Sequence, residues 1–361
     1  MESVVAEDAR SCALHTLIKM KRLHWWLLVA LNIFFLLAGQ AASVLLGRFY
    51  YDKGGNSKWM ATLVQTAAFP VLFIPYFLTS SSEKPSGISN SPSLGIVSLN
   101  YLVLGAVIAG DNMLYSVGLL YLSASTYSLI CAMQLAFSAI FTLFINRQKF
   151  TVLILNSVVI LTISASFLAV NDSSDEPSGV SKGKYAIGVL TTLGASALYS
   201  LILSLMQLSF ERVLKKETFS VVLEMQIYTS FVATCVSIIG LFASGEWRTL
   251  SGAMDGFQTG KVSYAMTLAW TATAWQICSV GIVGLIFLVT SLFSNVISTV
   301  SLAVTPIAAI IIFNDKSNGV KILAMLLSFW GLATYIYQNY LDDLEARSKI
   351  NDTDTRNESS C

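Results

Sequence analysis

The sequence predicts an all-α polytopic membrane protein: ten transmembrane helices arranged as an inverted repeat of two five-helix halves. Three observations carry that expectation. Apolar residues make up 55% of the 361-residue chain and charged residues 12%, with a mean hydropathy of +0.67; a soluble domain carries about 25% charged residues. Long apolar runs of roughly 20 residues recur, which is the length that an α-helix needs to cross a bilayer. A polar segment, "NDSSDEPSGVSKGK" (171–184), divides the runs five and five.

The elements follow in order. Residues 1–24 are polar and form an N-terminal tail, so no cleavable signal peptide is expected and the first apolar run, from Trp25, acts as an uncleaved anchor. Spans are expected near 25–47, 59–79, 99–120, 124–145 and 151–170 in the first half (25–170). The second half (185–342) supplies 185–209, 221–243, 264–288, 291–313 and 320–340, followed by a polar tail over 343–361. Spans three and four are joined by "YLSAST", and eight and nine by "LVTSLFS", so each pair is a tight helical hairpin. "RFYYDKGGNSK" (48–58) is a loop with a Gly-Gly turn, and "SSSEKPSGISNSPS" (80–93) is a Ser/Pro-rich connection. Pro70, Pro75 and Pro306 are expected to bend their helices. Trp25, Trp26 and Trp59 stand at span ends, where interfacial anchors sit.

The repeat shows at low identity. "FINR" (144–147) falls on "IFND" (312–315), and Ser123 falls on Ser291 at the same offset, as do the two hairpins. An odd number of spans per half inverts the second half relative to the first, as in many secondary transporters. The cluster "KMKR" (19–22) before the first span places the N-terminus in the cytosol, although the internal loops lean the other way. An even span count then puts the C-terminus there too. Net charge is +1, which implies no strongly charged partner such as nucleic acid. Five scattered cysteines show neither a CxxC pair nor disulfide spacing, and His15 and His24 lack further ligands for a metal. The expectation is no metal and no cofactor. Of the three glycosylation sequons, at Asn171, Asn351 and Asn357, only the first falls on the outer side.

Polar residues inside the apolar spans point to a site. An ionised carboxylate at mid-membrane costs at least about 2.5–3.5 kcal/mol on insertion scales. Asp111 lies halfway along "LGAVIAGDNMLYSVGLLYL" (104–122), followed by Asn112, with Tyr115 one turn on. It either faces a water-filled cavity, where it takes a proton or pairs with a substrate, or is a structural group bonded to a neighbouring helix. Buried amides recur: Asn32, Gln40, Gln65, Gln134, Asn156, Gln207, Gln226, Gln276 and Asn295. Singly each serves as interhelical glue; as a set, rich in amides and poor in charge, they suit a neutral or zwitterionic ligand with several donors and acceptors. Trp275, Trp270, Trp330, Tyr115, Tyr199 and Tyr228 could stack on a flat heterocycle. The substrate-binding candidates are Gln40, Gln65, Asn112, Tyr115, Gln134, Trp275, Gln276 and Asn295. The proton-coupling candidates are Asp111 and Glu224, the latter near the start of span seven and also readable as an interfacial carboxylate.

"LLGRFYYDKGGNSKW", "AGDNMLYSVGLLYLSASTYSLICAMQLAFSAIF", "SGEW", "AWQICSVGIVGLIFLVTSLFSNVIS" and "YQNYLDD", in that order over residues 25–343, resemble the plant purine permeases of the drug/metabolite transporter superfamily. "FNDKSNG" after Pro306 departs from that pattern, which leaves the substrate open. The resemblance implies ten helices in inverted halves, cytosolic ends, and proton-coupled import of adenine-like purine bases and cytokinin bases at the plasma membrane. It also admits another aromatic heterocycle or alkaloid. No P-loop, HExxH or Gly-x-Ser-x-Gly pattern occurs, so neither an ATP-driven pump nor an embedded enzyme is expected. A channel, and a nucleotide-sugar or metabolite carrier on an internal membrane, are the rivals; a basic mid-membrane site, which this sequence lacks, would favour the last.

Overall fold

The computed structural model describes residues 2–80, 93–146, 181–214 and 220–313, the backbone alone over 2–24, together with isolated positions in 152–163 and 319–341. The linker up to residue 180, the Asn171 sequon, most of the fifth span and the tail beyond 341 lie outside them. Every regular element among the described residues is helical. Eight helices or broken helices are long and apolar enough to cross a membrane, and Ile322–Gly331 is a shorter apolar helix within the expected tenth span.

The helices are α1 (Glu2–Asp52), α2 (Lys58–Val64), α3 (Phe73–Ser80), α4 (Leu94–Tyr121), α5 (Ala124–Cys131) and α6 (Gln134–Asn146). In the second half come α7 (Lys182–Leu208), α8 (Ser220–Ala243), the short α9 (Leu250–Asp255), α10 (Lys261–Leu288) and α11 (Ser291–Phe313). Both hairpins are as tight as expected. Only Leu122 and Ser123 separate α4 from α5, and only Val289 and Thr290 separate α10 from α11. The hydroxyl of Ser123 caps α5 by accepting from the Thr126 amide, which satisfies one of the amides that a helix start leaves unpaired.

Polarity runs inside out relative to a soluble bundle. Phe34, Ile74, Leu94, Val262 and Ile311 are all more than 60% exposed, whereas Ser43, Thr62, Ser200 and Ser204 are fully buried. Lipid-facing apolar surface and small hydroxyl-bearing contacts between helices are what a bilayer selects.

Three expectations are corrected. The first helix does not end before Arg48; it continues to Asp52, and the turn is confined to residues 53–57, with Gly54 at φ +108°. Arg48 stays buried inside it because its guanidinium finds partners, described below. The second span is not one bent helix but two pieces, α2 and α3, separated by an irregular stretch over Gln65–Ala68 and a 3₁₀ turn, Phe69–Leu72, that contains Pro70. The fourth span is likewise broken, at Ala132 and Met133 between α5 and α6, with no proline to announce it.

Helix pairing is dominated by α1 with α10, α4 with α7, α4 with α8, and α1 with α11. Glycines set the closest of these. A Cβ on Gly281 of α10 would lie 2.6 Å from the Leu36 amide nitrogen and 2.7 Å from the Asn32 carbonyl of α1. One on Gly39 of α1 would lie 2.7 Å from the Cys278 amide nitrogen. The backbones therefore touch where side chains would hold them apart.

Replacing Gly281 with Val is expected to separate α1 from α10 and cost more than the roughly 1–3 kcal/mol of ordinary overpacking, because backbone rather than a flexible side chain must yield. Thermal unfolding of the detergent-purified protein measures it. Gly110→Ala is the control: nothing lies within 4 Å of its added Cβ, and its melting temperature should hold or rise.

Candidate functional site

Both broken spans break beside one cavity. It has about 870 Å³ of empty space, counted with the solvent at its mouth. From α1 come Gln40 and Val44; from the second span, Gln65 and Thr66; from α4, Ile108, Asp111, Asn112 and Tyr115. The fourth span gives Tyr127, Cys131 and Gln134, and α7 gives Tyr199. From α8 and α10 come Gln226, Ser230, Trp275 and Cys278. Among the described residues, no Lys, Arg or His lines it.

Asp111 is 3% exposed, and its Oδ1 has no hydrogen-bond partner among the described residues. It borders the cavity and forms no bond at that oxygen to a neighbouring helix. A buried carboxylate oxygen without a donor is costly, so the geometry calls for a donor from outside the protein: a bound proton, water or a ligand N–H.

The amides divide into two groups. Gln40, Gln65, Asn112, Gln134 and Gln226 line the cavity. The Nε2 of Gln134 donates to Ser298 Oγ (2.9 Å), which donates to Gln40 Oε1 (2.9 Å). The Nε2 of Gln65 donates to Ser116 Oγ (3.0 Å) and to the Asn112 carbonyl (3.2 Å). Gln276 and Asn295 stand behind this wall. Gln276 Nε2 donates to the Thr66 carbonyl (2.9 Å) inside the break of the second span, while its Oε1 accepts from Gln226 Nε2 (3.2 Å). Asn295 Nδ2 donates to the Gln134 carbonyl (3.0 Å) at the break of the fourth, and Ser200 Oγ donates to the same oxygen (2.7 Å). These groups reach the broken helices rather than the cavity.

Glu224 lies away from the cavity, where its Oε1 accepts from the Tyr101 hydroxyl (3.3 Å), and Tyr101 stacks on Tyr228 at 5.4 Å. Trp270 and Trp330 are 58% and 63% exposed and face away from it. Among the aromatics, Trp275, Tyr115 and Tyr199 border it. Tyr115 packs edge-to-face on Tyr127 (5.9 Å) and on Tyr199 (6.4 Å).

Sequence reasoning missed Tyr127, Cys131, Thr66 and Ser230. A signal existed for two of them. Tyr127, Cys131 and Gln134 follow i, i+4, i+7 spacing, which puts them on one face of the fourth span. Thr66 had none, since only the break turns it inward.

The family described as purine nucleobase transmembrane transport matches residues 27–345. The chain is 70% identical over 331 residues to "Probable purine permease 11" of Arabidopsis thaliana, covering 92% of this chain and 87% of that one. It is 59% identical to "Probable purine permease 13" (92% and 91%) and 51% identical to "Purine permease 21" (88% and 82%), both of Arabidopsis thaliana.

Gln276→Leu removes the donor to the Thr66 carbonyl and one of two acceptors of Gln226 Nε2, which keeps its bond to Ser230 Oγ (2.9 Å). Interhelical hydrogen bonds in membrane proteins reach about 1.7 kcal/mol, so a loss of about 1–2 kcal/mol is expected in reversible unfolding in mixed detergent micelles. Gln276→Glu, which keeps the size but presents an acceptor to an acceptor, should cost at least as much.

Proposed function

The chain belongs to the purine nucleobase transmembrane transport family, and from that premise we propose that it is a proton-coupled carrier of purine bases working by alternating access. As a member it is an integral, multi-pass transporter and not an enzyme. The observation that carries the finer reading is Asp111: a buried carboxylate oxygen without a donor among the described residues, bordering a cavity whose other polar groups are amides and hydroxyls.

A purine base is flat and carries donors and acceptors around its rim. Its ring N–H or exocyclic amino group supplies the donor that Asp111 Oδ1 lacks. Gln40, Gln65, Asn112 and Gln134 offer amide groups of the kind that pair with adenine two-pronged elsewhere. Tyr115, Tyr199 and Trp275 cover the ring faces. Adenine and its cytokinin-type derivatives are the favoured ligands. The absence of a lining cation disfavours phosphate-bearing ligands such as nucleotide sugars. It also fits a protonated alkaloid, which would meet Asp111 as an ion pair.

Helix pairing supports the mechanism. The first span packs on the eighth and the third on the sixth; exchanging the two halves turns one pair into the other, as an inverted repeat requires. In the proposed cycle protonated Asp111 receives the base from outside the plasma membrane. The halves then rock, and proton and base leave to the cytosol, where both chain ends lie.

The test is uptake of labelled adenine by yeast cells that lack their own purine uptake, at acid and neutral external pH. Saturable uptake that is faster at acid pH and abolished by a protonophore is expected. Asp111→Asn keeps the shape but cannot titrate: acid stimulation should vanish and uptake fall by about tenfold or more, the scale of one hydrogen bond to a charged group. Undiminished acid-stimulated uptake by Asp111→Asn at the cell surface would overturn the coupling role.

A further inference from the structure

A second, much smaller and narrow cavity, with about 400 Å³ of empty space when adjoining solvent is counted, shares Gln65, Tyr115, Tyr127 and Trp275 with the first. It is displaced along the bundle toward the end that carries residues 53–57. On α1 the lining moves from Gln40 to Ser43 and Gly47; on α4, from Asp111 to Ser116 and Leu119; on α10, from Cys278 to Thr271 and Leu268. Seven or eight residues of helix correspond to roughly 10–12 Å. The edge-to-face pair Tyr115–Tyr127 stands between the two cavities.

Next to Gly47, which lines the second cavity, stands Arg48. This side chain is 8% exposed, yet it sits inside a membrane-spanning helix. Its Nη1 donates to two carbonyls at the C-terminal end of α4, Leu119 (3.1 Å) and Leu122 (2.8 Å), and its Nη2 pairs with Asp52 (2.5 Å). The Tyr51 hydroxyl donates to a third α4 carbonyl, that of Ser116 (3.1 Å). A helix C-terminus carries unpaired carbonyls and partial negative charge, so a guanidinium there is held by charge as well as geometry. The three bonds to carbonyls join α1 to the C-terminal end of α4, while the Arg48–Asp52 pair lies within α1 and holds the guanidinium in place.

We propose that the smaller cavity is the closed outer segment of the ligand path, a transient subsite for the same flat heterocycle, and that Arg48 is the latch holding it shut. The chemistry fits that ligand class: Tyr50, Tyr51, Tyr115 and Tyr127 supply ring faces, and Ser43 and Thr271 supply hydroxyls. A guanidinium that bonds carbonyls is also a latch that can release, because water or a rim acceptor of the ligand replaces those oxygens one for one. The proposal rests on the carrier reading above.

Ser43 is fully buried against this cavity, so Ser43→Cys reports its access. Purified Ser43→Cys in detergent is treated with a small charged methanethiosulfonate reagent, and reaction at residue 43 is followed by mass spectrometry. The reaction is expected to be slow with Arg48 present. Adding Arg48→Gln should accelerate it about tenfold or more, the factor for one charge-assisted hydrogen bond. Tyr51→Phe, which removes only a hydroxyl, should accelerate it in the same direction and serves if Arg48→Gln does not fold. Equal rates with and without these changes would overturn the latch. In yeast, reagent-treated Ser43→Cys should lose adenine uptake; unchanged uptake after complete reaction would overturn the path. If the untreated protein takes up no adenine at all, the purine reading fails, while the reaction rates at residue 43 still decide the latch.

Discussion

An interrupted helix inside a bilayer must find partners for its freed backbone groups, and the rest of this structure depends on how that requirement is met. Hydrocarbon offers no hydrogen bonds, so irregular backbone survives only against protein or a wet cavity. The second span breaks over Gln65–Ala68 and the fourth at Ala132 and Met133. Both lie in the first half of the chain, and both are stitched by side chains from the second. Gln276 holds the Thr66 carbonyl, and Thr234 bonds the Thr66 hydroxyl at 3.0 Å. Asn295 and Ser200 hold the Gln134 carbonyl. Each such bond contributes about 0.6 kcal/mol on average, but together they specify which helix faces which.

The same requirement creates the cavity. A break stops the helix from filling its own cylinder and turns polar backbone inward, so space and polarity arise together. Around that space, the amides whose donors are engaged, such as Gln134 through Ser298 to Gln40, form a fixed frame. Asp111 differs from them, because its Oδ1 is left open within the frame. A site of fixed donors and one unsatisfied carboxylate oxygen is preorganised for something that brings its own N–H or proton, and a purine base or a proton meets that condition.

Much of this was legible in the sequence. The two hairpins follow from apolar runs too long for one helix and joined by too few residues for a loop. Asp111 announces itself because a carboxylate at that depth has no cheap explanation. The breaks were not legible: hydropathy is the same whether an apolar run is one helix or two, and the fourth span lacks the proline that marks the second. For the same reason Gln276 and Asn295 could not be told from Gln40 and Gln134, since an amide facing a break and one facing a cavity are identical in sequence. Arg48 was read as the start of a loop because "RFYYDKGGNSK" carries a Gly-Gly turn signal; only the carbonyls at the end of α4, distant in sequence, show why the helix carries it onward.

Helix α4 joins these features. At Gly105 it lies against Val232 and the Thr229 carbonyl of α8; at Gly118 an added Cβ would stand 2.1 Å from the Thr192 hydroxyl of α7. Between those two contacts it presents Asp111 to the cavity, and its C-terminal carbonyls are held by α1. A helix packed this closely on its neighbours at two levels moves as a rod rather than bending at its middle. In the proposed cycle, a proton or ligand received at Asp111 therefore acts on the whole of α4 and is felt about 12–15 Å away at its last turn. The α4–α1 bonds are few, whereas the α4–α7 and α4–α8 contacts at Gly118 and Gly105 are close packing that any shift must preserve. Parting of the α4 C-terminus from α1 is the local change that this distribution of contacts makes least costly.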